Sequence, residues 1–242
     1  MARKPVIFWF RQDLRLADNR ALAVAAETGQ PMIAIYILDD KGAGDWPMGG
    51  ASRWWLHHSL LALLADLESR GVRLVLARGD SREILKALAE EVEADAVYFT
   101  RAYEPAQAAL ENAAAGTLSE IGVEARRFGG NLLFEPESVE TKSGGPFKVF
   151  TPFYKACLAK TPTLPLETIP DLTPCKDAPR GERLEDWELT PIHPDWAGGL
   201  RETWIPGEAG AHKRLDEFLE NRLTAYPDSR DRPGEAGTSR LS

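Results

Sequence analysis

Cysteine is nearly absent: Cys157 and Cys175 are the two thiols in 242 residues. That spacing gives neither a disulfide framework nor a metal-ligand pattern, so a reducing, cytoplasmic setting is expected. No apolar run approaches the ~20 residues that span a bilayer, and no membrane partner is expected. The opening MARKPVIFWF meets Arg11, Gln12 and Asp13 with no small-residue cleavage site. It therefore reads as a first strand, not a signal peptide. Positive charge is also short, with 29 Lys and Arg against 37 Asp and Glu for a net charge of −8. Tight duplex binding calls for a basic surface, so weak or no DNA binding by this chain alone is expected. No internal repeat is present, and no G-x-G-x-x-G string follows the first strand; Gly49-Gly50 lacks that spacing, which argues against an NAD site. His57 and His58 are adjacent on a helical pattern and project about 100° apart, so they do not share one metal. No metal ligand and no catalytic side chain is assigned.

What is there is alternation. PVIFWF (Pro5–Phe10), MIAIYIL (Met32–Leu38), RLVLA (Arg73–Ala77), DAVYFT (Asp95–Thr100) and VEARRF (Val123–Phe128) are short runs rich in β-branched and aromatic residues. The middle ones are apolar on both faces, as buried parallel strands are. Helical patterns separate them. Asp18–Glu27 has Asp18 or Asn19 as N-cap. Ser52–Arg70 carries Trp55, Leu56, Leu60, Leu63, Leu64 and Leu67 at helical spacing, with Trp55 assigned to the core. Asp80–Glu91 and Glu104–Ile121 follow the same rule. Five such repeats predict an α/β fold: a doubly wound, five-stranded, Rossmann-like parallel sheet over residues 1–130. Its ligand crevice should lie beyond the strand carboxyl ends. Prolines then concentrate, and residues 131–206 read as a connecting tether with a helix over Phe147–Lys160 interrupted at Pro152. Residues 207–242 form a short helical fragment whose stripe of Leu215, Phe218, Leu219 and Leu223 has no evident partner. Self-association through that stripe is expected. The last residues, Gly237-Thr238-Ser239-Arg240-Leu241-Ser242, combine hydroxyls, backbone N–H groups and arginine in the manner of a phosphate cradle.

Three strings carry a resemblance. WFRQDLRLADN (Trp9–Asn19) follows a strand and opens a helix; FKVFTPFYKACL (Phe147–Leu158) lies in the tether; Pro206–Ser242 closes the chain. In that order they resemble the DNA photolyase/cryptochrome family, over essentially the whole chain but half of the family's usual length. The resemblance implies the amino-terminal half of a deoxyribodipyrimidine photolyase: antenna domain, linker, and truncated start of the FAD-binding helical domain. A reduced flavin there absorbs light, passes an electron to a cyclobutane pyrimidine dimer flipped from the duplex, and regains it after the ring opens. The isolated half is expected to be inactive. The alternatives are a cryptochrome-type photoreceptor fragment and a stand-alone antenna-binding module.

Carried over by residue, the resemblance makes Tyr226, Thr238, Ser239, Leu241 and Ser242 contacts of FAD, and places Arg230 near damaged DNA as the partner of the full-length parent. It also implies an antenna chromophore (a folate, a deazaflavin or a second flavin) near the strand carboxyl ends. There the sequence gathers Arg11, Gln12, Leu38, Asp39, Asp40, Trp46, Met48, Arg53, Trp54, Arg101, Tyr103 and Glu104. Folate-binding members carry an Asn-Glu pair shortly after this Tyr-Glu; here Ala106 and Gln107 stand instead. A deazaflavin-type antenna is expected over folate.

Overall fold

The computed structural model describes residues 3–42, 44–160 and 168–240. Five parallel strands, β1 (Val6–Phe10), β2 (Met32–Leu38), β3 (Leu74–Arg78), β4 (Ala96–Thr100) and β5 (Glu124–Phe128), lie in the order β3-β2-β1-β4-β5. The register runs Val6 beside Met32 on one side and Ala96 on the other. Helices α1 (Arg20–Glu27), α2 (Gly50–Glu68), α3 (Ser81–Glu91) and α4 (Pro105–Glu120) make the crossovers.

Period-2 alternation sorts the core. Phe8 and Phe10 join Leu22 of α1 and Leu56, Leu60, Leu63 and Leu67 of α2 on one face. Ile7 and Trp9 join Leu85 and Leu88 of α3 and Leu118 of α4 on the other. Each fully buried Leu or Ile side chain contributes about 1.5–3 kcal/mol relative to exposure, so both faces are committed. Of the two candidate caps for α1, Asn19 serves, accepting the Leu22 N–H at 3.1 Å. Asp18 takes a left-handed backbone (φ 49°) instead.

Two local expectations are corrected. Trp55, assigned to the core, is 41% exposed, while its neighbour Trp54 is buried. Trp54 projects about 150° from the leucine stripe at 3.6 residues per turn. The far face of α2 also meets protein, with the Trp196 ring against Gly50, and Trp54 itself packs on His58 with ring centres 4.5 Å apart. The expected break at Pro152 is absent. Helix α5 (Phe150–Leu158) begins just before it, so Pro152 sits in the first turn, where no intrahelical N–H is needed.

The proline-rich segment does more than connect. Thr173 O accepts the Met32 N–H at 2.8 Å, Arg73 donates to Ala178 O at 2.8 Å, and the Glu182 N–H donates to Leu76 O at 2.7 Å. The Glu182 carboxylate receives the Arg78 N–H (3.1 Å) and Trp187 Nε1–H (2.6 Å). The bonds at Leu76 O and Arg78 N occupy backbone groups at the outer edge of β3, where a bare strand would invite pairing with another chain. Leu184, Trp187 and Leu189 then enter the α1/α2 core. At the other edge, β5 carries exposed Glu124, Arg126 and Arg127, which deter such pairing. Beyond α6 (Gly198–Thr203) come α7 (Glu208–Asn221) and α8 (Tyr226–Ser229). Leu215, Leu219 and Leu223 of this region are 38%, 51% and 50% exposed.

Gly181 is where the strap crosses β3: a Cβ there would lie 2.2 Å from Leu76 N. Gly181→Ala should lower stability by about 1–3 kcal/mol in chemical denaturation. Gly116→Ala, in α4 with nothing within 4 Å, should raise it by up to ~1 kcal/mol. Equal effects at the two positions would contradict the strap.

Candidate functional site

The strand order reverses between β1 and β4, and the loop after β1 fills that switch point with its own side chains. Asp13, 2% exposed, accepts Thr100 Oγ1–H at 2.6 Å, the Arg11 N–H at 3.0 Å and Asn19 Nδ2–H at 3.2 Å. Burial pushes its carboxyl up, opposed by the Thr100 and backbone donors and by Arg15. The bond to Thr100 ties the end of β1 to the end of β4. Arg11 turns inward, pairing with the buried Glu111 carboxylate and with Gln107 of α4; its guanidinium lies over Trp9, 4.7 Å from the ring centre. Glu111 also accepts the Ala102 N–H at 2.6 Å. Arg15 reaches Asp18 O and Gly130 O, both at 3.1 Å. Arg11, Asp13, Arg15 and Asn19 of the Trp9–Asn19 string thus form a polar knot, while the Trp9 Nε1–H beside it is buried without a partner.

The antenna residues fall into two groups. Asp39 caps the start of α3, accepting the Ser81 N–H at 2.9 Å and the Gly42 N–H at 2.7 Å. Asp40 pairs with Arg53 at 2.5 Å, and Arg53 also donates to Met48 O at 3.1 Å. With Arg11, these residues surround the carboxyl ends of β1 and β2. Arg101 lies apart, bonded to Glu137 at 2.6 Å and stacked 5.0 Å from the Tyr103 ring centre. Tyr103 donates to Glu135 at 2.8 Å; burial and that carboxylate push its phenol up. Glu104 is exposed at the N-cap of α4 without a capping bond, and Trp46 is 88% exposed.

The space left beyond β1 and β2 is small, about 110 Å³ among Trp9, Tyr36, Asp39, Ser81, Gln107 and Leu110. Ring-sized ligands occupy cavities of roughly 300–1,000 Å³, so a planar chromophore does not fit there. A cavity of about 570 Å³ adjoins it, sharing Arg11, Gln12, Tyr36 and Met48. Its outer walls are Trp55 of α2 and Glu208 and Leu215 of α7; its size and its aromatic, arginine and carboxylate lining suit a planar, partly anionic ring. A third hollow of about 800 Å³ lies between the start of α2, Trp204, Arg214 and Arg240. Two residues important here escaped the sequence reading. Glu111 lies in phase with the buried Ala114 and Leu118, and a charge on that stripe was the available signal. Glu208 offered none, because its partners lie some 190 residues away.

The carboxyl-terminal residues fold against α7 and α8. Tyr226, 37% exposed, meets Phe218 edge-on at 5.8 Å, and Arg230 lies 6.0 Å from its ring centre. Gly237 is packed so that a Cβ would lie 2.3 Å from Ser229 O. This folds the chain back on α8 and brings the half-buried Thr238 and Ser239 beside it. Leu241 and Ser242 lie outside the described residues. Hydroxyls, backbone N–H groups and arginines are a donor set suited to a diphosphate, and in that respect the segment fits FAD.

Asp13→Ala should cost about 2–4 kcal/mol in chemical denaturation, because it strands three buried or half-buried donors. Its upward shift adds a sign: Asp13's contribution is present below its unfolded value, near pH 3.8, and is lost as pH rises through the folded value. The penalty of Asp13→Ala should therefore shrink as pH rises above 3.8. A cost below about 1 kcal/mol, in the range of ordinary surface substitutions, would contradict the knot.

Among known proteins, the pattern of the DNA photolyase family matches residues 6–173. The deoxyribodipyrimidine photo-lyase of Agrobacterium fabrum is 47% identical over 98% of this chain and 49% of its own length. Cryptochrome-1 of Arabidopsis thaliana is 32% identical over 98% of this chain and 35% of its own. The crystal structure of a bacterial class III photolyase from Agrobacterium tumefaciens superposes with a TM-score of 0.93 at 45% identity, covering 100% of this chain and 50% of that one. The chain spans about half the length, or less, of these relatives. With a sheet of matching topology and a family match across most of its residues, the chain belongs to the DNA photolyase family.

Proposed function

We propose that this chain serves a deoxyribodipyrimidine photo-lyase, the light-driven lyase that repairs cyclobutane pyrimidine dimers in DNA with reduced FAD. The observation that carries this reading is the 47% identity to the Agrobacterium fabrum enzyme across 98% of the chain. Reduced FAD, when bound, supplies the photoexcited electron that opens the dimer's cyclobutane ring and is then returned. The chain's own part is positional. Thr238 and Ser239, joined by Leu241 and Ser242, hold the flavin's phosphates; Tyr226 lines the same wall; Arg230 faces the damaged strand.

The α/β half supplies an antenna site, with Arg11 and the Asp39, Asp40 and Arg53 group at its inner end and the cavity of about 570 Å³ as its body. Arg101 and Glu104 border the same sheet end more remotely. A deazaflavin-type ring is favoured over folate because Gln107 offers no carboxylate and is engaged with Arg11 and with Gly42 O. By itself the chain binds DNA weakly, consistent with its net charge of −8, and associates through Leu215, Leu219 and Leu223. Two unpaired thiols fit a cytoplasmic setting. Among the described residues no helix is long and apolar enough to cross a membrane.

A cryptochrome-type photoreceptor is the second reading, favoured by the 32% identity to the Arabidopsis protein. A photorepair assay separates the two. The 242-residue chain with FAD, light and a thymine-dimer oligonucleotide should give no repair, while the polypeptide extended to the length of its relatives should restore intact thymines. Binding of flavin without repair by that longer protein would favour the photoreceptor, and repair by the short chain would contradict the assignment of one wall to it.

A further inference from the structure

The loop between β1 and α1 presents two backbone N–H groups that α1 does not use. Leu16 N–H and Ala17 N–H both donate to the Glu208 carboxylate, at 2.9 and 3.0 Å, one to each oxygen. Glu208 is the first residue of α7, where a negative charge also meets the positive end of the helix dipole. Its side chain is 14% exposed, and His212, one turn on, sits 3.6 Å from the same carboxylate. Just before it, Gly207 takes φ 105° and presses α7 toward α2: a Cβ there would lie 2.7 Å from that of Ala62. One carboxylate thus fastens α7 to the sheet's own loop while the preceding glycine sets its distance from α2.

Those three elements are also the walls of the cavity of about 570 Å³, with Arg11 and Tyr36 on the sheet side, Trp55 on α2, and Glu208 and Leu215 on α7. We propose that Glu208 is the positioning residue of this cavity, fixing the gap between α7 and the β1–α1 loop and so the orientation of a planar aromatic ligand within it; this rests on the antenna reading above. The chemistry calls for a carboxylate. Two N–H donors converge on it, so both of its oxygens must accept. In Glu208→Gln the amide NH2 would face one of those donors, leaving a single acceptor. Aspartate would fall one methylene short.

The test uses the 242-residue chain, with riboflavin as the planar probe. In Glu208→Ala, amide exchange at Leu16 and Ala17 should speed up by about tenfold or more, the loss expected of charge-assisted bonds, while β2 amides stay protected. The ellipticity induced per bound riboflavin at saturation should fall, because a ring in a loosened site is held in less fixed an orientation, with Glu208→Gln in between. The signal should vanish in Leu215→Arg, on the α7 wall; its survival there would place the dye elsewhere and overturn the assignment. No saturable riboflavin binding to the wild-type chain would overturn the antenna reading of the cavity, and with it the ligand given to Glu208. Binding retained with unchanged ellipticity in Glu208→Ala, or unchanged exchange at Leu16 and Ala17, would overturn the positioning role alone.

Discussion

A carboxylate with 2% exposure at the end of the first strand holds this molecule in register. Asp13 gathers the Thr100 hydroxyl, the Arg11 N–H and the Asn19 amide. Burying a carboxyl group is costly unless its oxygens are met, so the loop around it has little freedom. Asn19 is at once a donor to Asp13 and the cap of α1, so the turn into the helix depends on the same carboxyl group. The shape of that turn in turn aims the Leu16 and Ala17 N–H groups at Glu208. The sheet's switch point, the first helix and the docking of α7 thus share one electrostatic centre.

The same centre explains why the crevice beyond the strands is nearly closed. In an open α/β sheet that crevice is the general place for a ligand. Here Arg11, Glu111 and Gln107 bridge it, and the remaining volume of about 110 Å³ suits no ring system. Usable space lies outward, where the β1–α1 loop, α2 and α7 meet. A site at the junction of the sheet and the later helices depends on how those parts are fastened, and the fastening includes the Glu208 carboxylate, the close approach of Gly207 to α2 and the edge-on Trp55–Trp204 pair.

Much of the architecture was legible in the sequence because its signals are local. Strand runs such as Met32–Leu38 and the caps Asn19 and Asp80 lie within a few residues of what they organise. What escaped is long-range. The leucine stripe of α2 does not show that its opposite face is also covered, so it sends Trp55 to the core where the structure buries Trp54. The strap through Gly181 and Glu182 read as a tether because its bonds to Leu76 and Arg78 cross about a hundred residues. Among the antenna positions, Asp39 and Arg101 have the expected residue types at the expected strand ends, but whether such a group faces a ligand or a neighbouring carboxylate is decided by chain packed from elsewhere.

Family membership and the hydroxyl-bearing segment folded against α8 support the central proposal that this chain contributes the phosphate-holding wall of a flavin site. Equilibrium dialysis of FAD against the 242-residue chain carrying Leu215→Arg, which closes the antenna cavity to a flavin ring, with and without pyrophosphate, tests it most directly. Weak binding that pyrophosphate displaces and riboflavin does not is the outcome expected of a wall that grips the diphosphate. Tight flavin binding that pyrophosphate leaves untouched would contradict it.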